Sequence, residues 1–223
     1  MIDKFSITAD IADWVEAFRV QKIIRCYTKR FNVSPTQNVS IVMNDRWEQR
    51  SINEARWGLF PFWAKDSVNA DVDTFHRKPY FERMLRKQRC VVPCTGFYGW
   101  RVFGKEKAPR AMHVVAPGRP LLAVPGFYDV FKNAQGQEIR AFTMITAASS
   151  GPISTWLPRL PVVLDEEGVE EWLDPAVHDV RPLRKHLEPL EFHQLRAYPV
   201  TNNIGDESYD SPDCIREIVP GFA

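Results

Sequence analysis

The stretch "RCVVPCTGFYGW", residues 89 to 100, carries two of the chain's four cysteines, the residues best suited to redox, covalent or metal chemistry. Cys90 and Cys94 are separated by three residues where zinc clips and redox pairs normally have two, and neither Cys26 nor Cys214 belongs to a second close pair. A metal clip, a redox pair, a covalent catalyst and a pair of core side chains are the competing readings. On a strand, positions 90 and 94 share a face, so two buried core thiols are favoured. His76, His113, His178, His186 and His193 are scattered. His178 and His186 lie eight apart on a proline-interrupted segment, which is poor metal spacing. There is no glycine-rich phosphate loop, no H-E-x-x-H and no G-x-S-x-G elbow. No metal and no cofactor is expected.

The aromatic run "WGLFPFW" places Trp57, Phe60, Phe62 and Trp63 within seven residues. Such a group either packs the core or offers stacking faces to bases, each contributing about 1–3 kcal/mol. Asn69 follows in "SVNAD", where its amide either holds a turn or orients a sugar or phosphate. "GFYGW" (96 to 100) and "LPRLPVVL" (157 to 164) read as rigid strand ends of the kind that line a cleft. Net charge is +1, from 29 Lys plus Arg against 28 Asp plus Glu, which excludes attraction of the whole protein to a polyanion. A local basic face remains open, because Arg77, Lys78, Arg83, Arg86, Lys87 and Arg89 crowd one segment with only Glu82 opposing them. Asp165, Glu166, Glu167, Glu170, Glu171 and Asp174 crowd another.

These residues need a frame. Ile11, Trp14, Val15 and Phe18 recur at helical spacing behind Asp10, a candidate cap. "VSIVM" reads as a strand, "RSINEARWGLFPFW" as a second strand that ends in an aromatic cluster around Pro61, and "PYFERMLRKQ" as a short helix with Pro79 in its first turn and Phe81, Met84 and Leu85 on one side. "RCVVPCTGFYGWRVF", "RAMHVVA", "LLAVPGFYDVF" and "RAFTMITAA" give four strand candidates. "DEEGVEEWLD" and "VHDVRPLRKHLEPL" read as two helices despite Gly168 and Pro182; "FHQLRAYPVTN" returns to a strand, and "CIREIVP" closes the domain. Many strands without regular strand-helix alternation predict an α+β architecture with mixed or antiparallel sheets and peripheral helices.

With 223 residues, 44% apolar and 26% charged, one soluble domain spanning 1–223 is expected. No segment reaches eighteen apolar residues, so no membrane span is expected. The opening "MIDKFSITADIADW" lacks the apolar stretch of a secretory signal, which predicts a cytoplasmic protein. In that compartment four cysteines do not form a disulfide framework.

Seven motifs together carry a resemblance: "RFNVSP" (30 to 35), "RWGLFPFW" (56 to 63), "NADVDT" (69 to 74), "RCVVPCTGFYGW" (89 to 100), "MITAAS" (144 to 149), "PRLPVVL" (158 to 164) and "YPVTNNI" (198 to 204). In this order they resemble the SRAP family of SOS-response-associated or abasic-site-processing proteins. The resemblance implies a compact, β-rich, barrel-like α+β fold with a positive cleft for single-stranded DNA at an abasic site, and a monomer. It also implies a mature N-terminal cysteine whose amine and thiol close on the ring-opened sugar as a thiazolidine.

The departures from the family pattern fall on that chemistry. Where the family begins Met-Cys-Gly-Arg-Phe, this chain has Ile2, Asp3 and Lys4. The glutamate of G-F-Y-E-W is Gly99, and the histidine before the Pro-Val-Leu run is Leu157, so the catalytic positions hold no nucleophile and no proton shuttle. The arginine of Asn-Ala-Arg is Asp71 and the following glutamate is Asp73; Asn69 is retained. The expectation is a divergent member without crosslinking or self-processing activity. It keeps single-stranded or damaged DNA in a cleft through stacking by Trp57, Phe62 or Trp63, orientation by Asn69, and charge from Lys4 and Arg77. The alternatives are a protein-interaction scaffold with a protein partner, and an abasic-site enzyme with a relocated nucleophile such as a Lys4 Schiff base.

Overall fold

The computed structural model describes residues 1–24, 27–105 and 107–219; Cys26 lies outside them. Five early strands, β1 (Phe5–Ile7), β2 (Lys22–Ile23), β3 (Arg30–Val33), β4 (Asn38–Asn44) and β5 (Arg50–Trp57), surround helix α1 (Ile11–Ala17). β6 (Asn69–Asp71) and helix α2 (Pro79–Lys87) follow, then β7 (Arg89–Cys94), β8 (Gly96–Arg101), β9 (Arg110–Val115), β10 (Leu122–Lys132), β11 (Glu138–Ala148) and β12 (Arg159–Pro161). Helices α3 (Glu166–Leu173) and α4 (Val180–Leu183) precede the last strand, β13 (Arg196–Pro199).

The strands form two sheets, ordered β13-β9-β8-β1-β3 and β12-β11-β10-β7-β4-β5-β2. The second closes on itself, because β11 also pairs β5 in parallel through Ala141 opposite Arg56 and Phe142 opposite Trp57. The ring β11-β10-β7-β4-β5 is a five-stranded barrel whose other pairings are antiparallel. This is the mixed, barrel-like α+β architecture expected, and it leaves no free edge within the ring. Its two mouths follow from the register. Asn38, Trp57, Cys94, Leu122 and Ala148 end strands at one; Asn44, Arg50, Arg89, Lys132 and Glu138 end them at the other.

The run 89 to 101 is two strands, not one. Thr95 turns the chain from the barrel into the smaller sheet, and its hydroxyl accepts from the Thr8 amide at 3.1 Å. β7 is buried along its whole length, and both cysteines are core: Cys90 is 0% and Cys94 1% exposed. Burial pushes both thiols up, Cys94 to about 12, which leaves them protonated and unreactive near neutrality.

α2 and α3 cover the β7-β10 face. Phe81 and Trp172 meet Phe127 with ring centroids 5.0 and 5.4 Å apart, and Trp172 donates its indole N–H to Cys90 O at 2.9 Å. The Arg50 guanidinium grips both oxygens of Glu170 at 2.7 and 2.6 Å, tying α3 to the barrel. The second expected helix is reduced to the four residues of α4, with Pro182 in its first turn, continued by a 3₁₀ turn over Arg184–His186.

Two close approaches explain glycines. A Cβ at Gly126 would lie 2.5 Å from Thr143 O and 3.2 Å from Cys90 Sγ, and one at Gly96 would lie 2.3 Å from His113 Nε2. His113 sits between Ser6 Oγ at 3.0 Å and Tyr198 Oη at 2.8 Å, locking β1 and β13 to the central strands of the smaller sheet.

Gly126→Ala is expected to destabilise the protein by about 1–3 kcal/mol in urea denaturation, since backbone must move; an unchanged midpoint would refute this packing. Burial pushes the His113 imidazole from its ordinary 6.5 down to about 3. Between those values the unfolded chain binds more protons, so this contribution to stability is complete above pH 6.5 and lost as pH falls toward 3. NMR titration is expected to show no His113 protonation near pH 6.5.

Candidate functional site

Ile2, Asn69, Gly99 and Leu157 are placed by the segment before β1, by β6, by β8 and by the segment before β12. Asn69 is delivered by β6, which pairs β11 through Met144 opposite Asn69 and Thr146 opposite Asp71. Its side-chain amide donates to Ile2 O at 2.7 Å, while its Oδ1 is buried without a hydrogen-bond partner. Ile2 is 1% exposed and belongs to the main core. β1 brings it there: Tyr98 donates its amide to Lys4 O at 3.1 Å, and the antiparallel pairing runs residues 2 to 4 alongside the Gly99 segment.

Gly99 and Leu157 meet directly. A Cβ at Gly99 would lie 3.0 Å from Leu157 Cδ1 and 2.9 Å from Trp156 Cζ3, so the space of a side chain there is filled by indole and leucine. Leu157 is 3% exposed. Ile2 and Asn69 form one contacting pair, Gly99 and Leu157 another. Hydrocarbon, peptide and one carboxamide supply no acid, base or nucleophile.

Lys4 departs from the expected phosphate contact. It is 8% exposed, and its ammonium donates to Ser34 Oγ at 2.7 Å and Asn32 Oδ1 at 3.3 Å. Desolvation pushes it below the ordinary lysine range. Asp71 pairs with Arg159 Nη1 at 3.0 Å and accepts from the Asp73 amide at 2.9 Å. Arg159 also donates to Thr146 Oγ1 and O at 3.0 and 2.6 Å. The Arg159 guanidinium is therefore held by a carboxylate and a backbone carbonyl.

The aromatic run splits. Trp57 is 0% exposed: it packs edge-on against Phe5 at 4.9 Å, lies parallel to Phe142 at 6.5 Å, and donates its indole N–H to Val68 O at 3.0 Å. The expectation that Trp57 stacks on a base is corrected, since no face of the ring reaches solvent. Phe62 and Trp63 are 38% and 85% exposed, and Phe60 is 70% exposed and stacks on Phe131 at 5.3 Å. They ride on a loop pinned at its base by Leu59 N to Ser67 O at 2.9 Å and braced by Ser67 Oγ to Phe62 O at 2.6 Å. Gly58, at φ +117°, gives Phe62 its seat: a Cβ there would lie 2.6 Å from the ring.

Arg77 is exposed and, among the described residues, has no ion-pair partner. It lines a groove of about 530 Å³ with His76, Arg184 and Glu188. The rest of its basic segment is largely neutralised. Lys78 pairs with Asp66, Arg83 with Asp129 at 2.9 Å and Arg86 with Glu82 at 3.1 Å. Arg89 is buried, donating to the carbonyls of Leu85, Trp172, Asp174 and Val177. A cleft of about 960 Å³ lies at the opposite mouth, where Asn44, Asp45, Arg89 and Arg140 line it, away from the family positions.

Ile2→Ala removes a fully enclosed side chain and is expected to cost about 2 kcal/mol or more in thermal or urea unfolding; no loss would mean that the N-terminal segment is not seated in the core.

Comparison with known proteins agrees with this frame. Residues 1–207 match the family model described as SOS response associated peptidase (SRAP). The chain is 30% identical to the abasic site processing protein YoqW of Bacillus subtilis over 224 residues, covering 96% of this chain and 99% of that one. It is 31% identical to YobE of the same organism over 224 residues, with the same coverage. It is 26% identical to the abasic site processing protein HMCES of Xenopus tropicalis over 227 residues, covering 86% of this chain and 67% of that one. Among solved structures, a protein of Bacteroides thetaiotaomicron superposes with a TM-score of 0.78 at 22% identity, covering 97% and 99% of the two chains, and supports the fold. The chain belongs to the SRAP family of abasic-site-processing proteins.

Proposed function

We propose that this chain is a SRAP protein that holds single-stranded or damaged DNA without forming a covalent bond to it. One observation carries the reading. The positions where the family places its nucleophile and proton-transfer groups hold Ile2, Gly99 and Leu157, packed as core, and only the Asn69 carboxamide is retained. An aldehyde needs a nucleophile and a proton shuttle within bonding reach. What survives suits noncovalent contact: Trp63 and Phe62 supply exposed π-faces, which accept any base, and Arg77 supplies an exposed cation. The Asp71–Arg159 pair removes one phosphate contact, so stacking carries a larger share of affinity here than charge.

A second reading has a specific observation behind it. Lys4 lies two residues from Ile2 and desolvation lowers its pKa, as an imine-forming amine requires. Its amine would add to the ring-opened aldehyde and expel water. Its bonds to Ser34 and Asn32 and its 8% exposure oppose this, so noncovalent binding is preferred.

Incubation with an abasic single-stranded oligonucleotide is expected to leave no adduct on a denaturing gel, with or without borohydride. A borohydride-trapped adduct lost in Lys4→Arg would instead assign the second reading, and an adduct formed without reductant would sink both. Fluorescence anisotropy of a labelled strand is expected to show binding that weakens with added salt, with a shallow slope. Trp63→Ala should weaken it by about 1–3 kcal/mol, and Asp71→Asn, which releases Arg159, should tighten it. Undetectable binding at low salt would leave the fold to serve as a protein-interaction module.

A further inference from the structure

The glycine inside α3 has a reason that the fold alone does not supply. A glycine weakens a helix interior, and Gly168 has ordinary helical backbone with no positive φ to justify it. A Cβ at 168 would lie 3.0 Å from both Cβ and Cγ of His186, and 2.9 Å from Asp165 Oδ1. The missing side chain is the seat of the His186 ring, whose side chain is only 6% exposed.

That ring is held in a defined pose. Asp165 caps α3 by accepting from the Gly168 amide at 2.7 Å, and the same Oδ1 lies 3.2 Å from His186 Nδ1. The opposite nitrogen, Nε2, is buried and has no hydrogen-bond partner. It stands 3.4 Å from Glu171 Oε2 without the alignment of a hydrogen bond. Glu167 lies one helical turn before Glu171, and one ligand atom each from Glu167, Glu171 and His186 fall within 4.8 Å of one another. Lys185 already places an ammonium against the two carboxylates, at 2.8 and 2.9 Å. Its side chain is 54% exposed and free to swing away.

From this geometry we propose that Glu167, Glu171 and His186 bind a divalent transition-metal ion of the zinc type, with Asp165 as the residue that orients the histidine. Two ligands on a tetrahedral ion with bonds of about 2.0–2.1 Å stand about 3.3 Å apart, close to the 3.4 Å between His186 Nε2 and Glu171 Oε2. Carboxylate, histidine and metal in line is the usual arrangement around metal-bound imidazole, the carboxylate fixing the tautomer and ring plane. Three protein ligands leave a fourth position for water. The imidazole selects zinc over magnesium, which prefers oxygen ligands alone. Histidine spacing in the sequence missed the group because the histidine's partners are carboxylates on a neighbouring helix. The site lies on α3 and the turn after α4, apart from the family positions.

Equilibrium dialysis of the whole protein against zinc is expected to give one ion per chain with micromolar or tighter affinity, and no saturable binding of magnesium under the same conditions. Cobalt should give the visible absorption of a tetrahedral site. His186→Gln and Glu171→Gln should each weaken zinc binding tenfold or more. Asp165→Asn, which keeps the helix cap, should weaken it about tenfold. Lys185→Met removes the competing ammonium and should tighten binding severalfold, whereas a cluster built only as an ion-pair network would gain no affinity from it. Glu171 is on the surface, so Glu171→Gln should retain the native circular dichroism spectrum. Absence of stoichiometric zinc binding, or zinc binding indifferent to both Glu171→Gln and His186→Gln, would overturn the proposal.

Discussion

The two parallel pairs between β5 and β11 decide this architecture. Without Ala141 opposite Arg56 and Phe142 opposite Trp57, the larger sheet would be an open, curled ribbon with two exposed edges. Closure fixes Trp57 between Phe5 and Phe142, and so joins the barrel interior to the strand that carries the N-terminus. Closure also aligns β6 and β12 on opposite sides of the end of β11, where Thr146 faces Asp71 on one side and Pro161 on the other. The Asp71–Arg159 pair spans that strand. The electrostatics of this mouth are therefore a product of sheet register as much as of residue identity.

The same mouth shows how a reactive centre and a core differ by very few atoms. Position 2 is reached by the backbone through the Asn69 amide, whatever its side chain. With isoleucine there, the site's walls are continuous with the main hydrophobic cluster, and Leu157 and Trp156 fill what a side chain at 99 would occupy. Burial of such groups is favourable, roughly 25 cal/mol per Å² of apolar surface. These side chains thus contribute packing to the mouth.

Much of this was legible beforehand. Alternation and turn residues gave β4, β9, β10 and β11 close to their observed spans, β5 stops at Trp57, short of the aromatic run expected to end it, and the proline-initiated α2 buries the Phe81, Met84 and Leu85 side as its periodicity requires. Cys90 and Cys94 are the core thiols that a shared strand face suggested. Three things were hidden. Thr95 looked like part of one long strand because nothing local marks a change of sheet. Trp57 looked as available as Trp63 because adjacency in sequence says nothing about which ring the closure buries. The basic run 77 to 89 left a local basic face open because its counter-charges, Asp66 and Asp129, come from distant segments. Lys4 belongs with these: only the fold places Ser34 and Asn32 around its ammonium.

Ile2 carries one more implication, for the chain's tolerance of change. Its side chain is part of the interior, so a smaller residue at the second position would open a void in the core and lower folding stability. The N-terminal segment is thus fastened twice, by packing and by the Asn69 amide, and substitutions at position 2 are screened by folding before any other property of the mouth is affected.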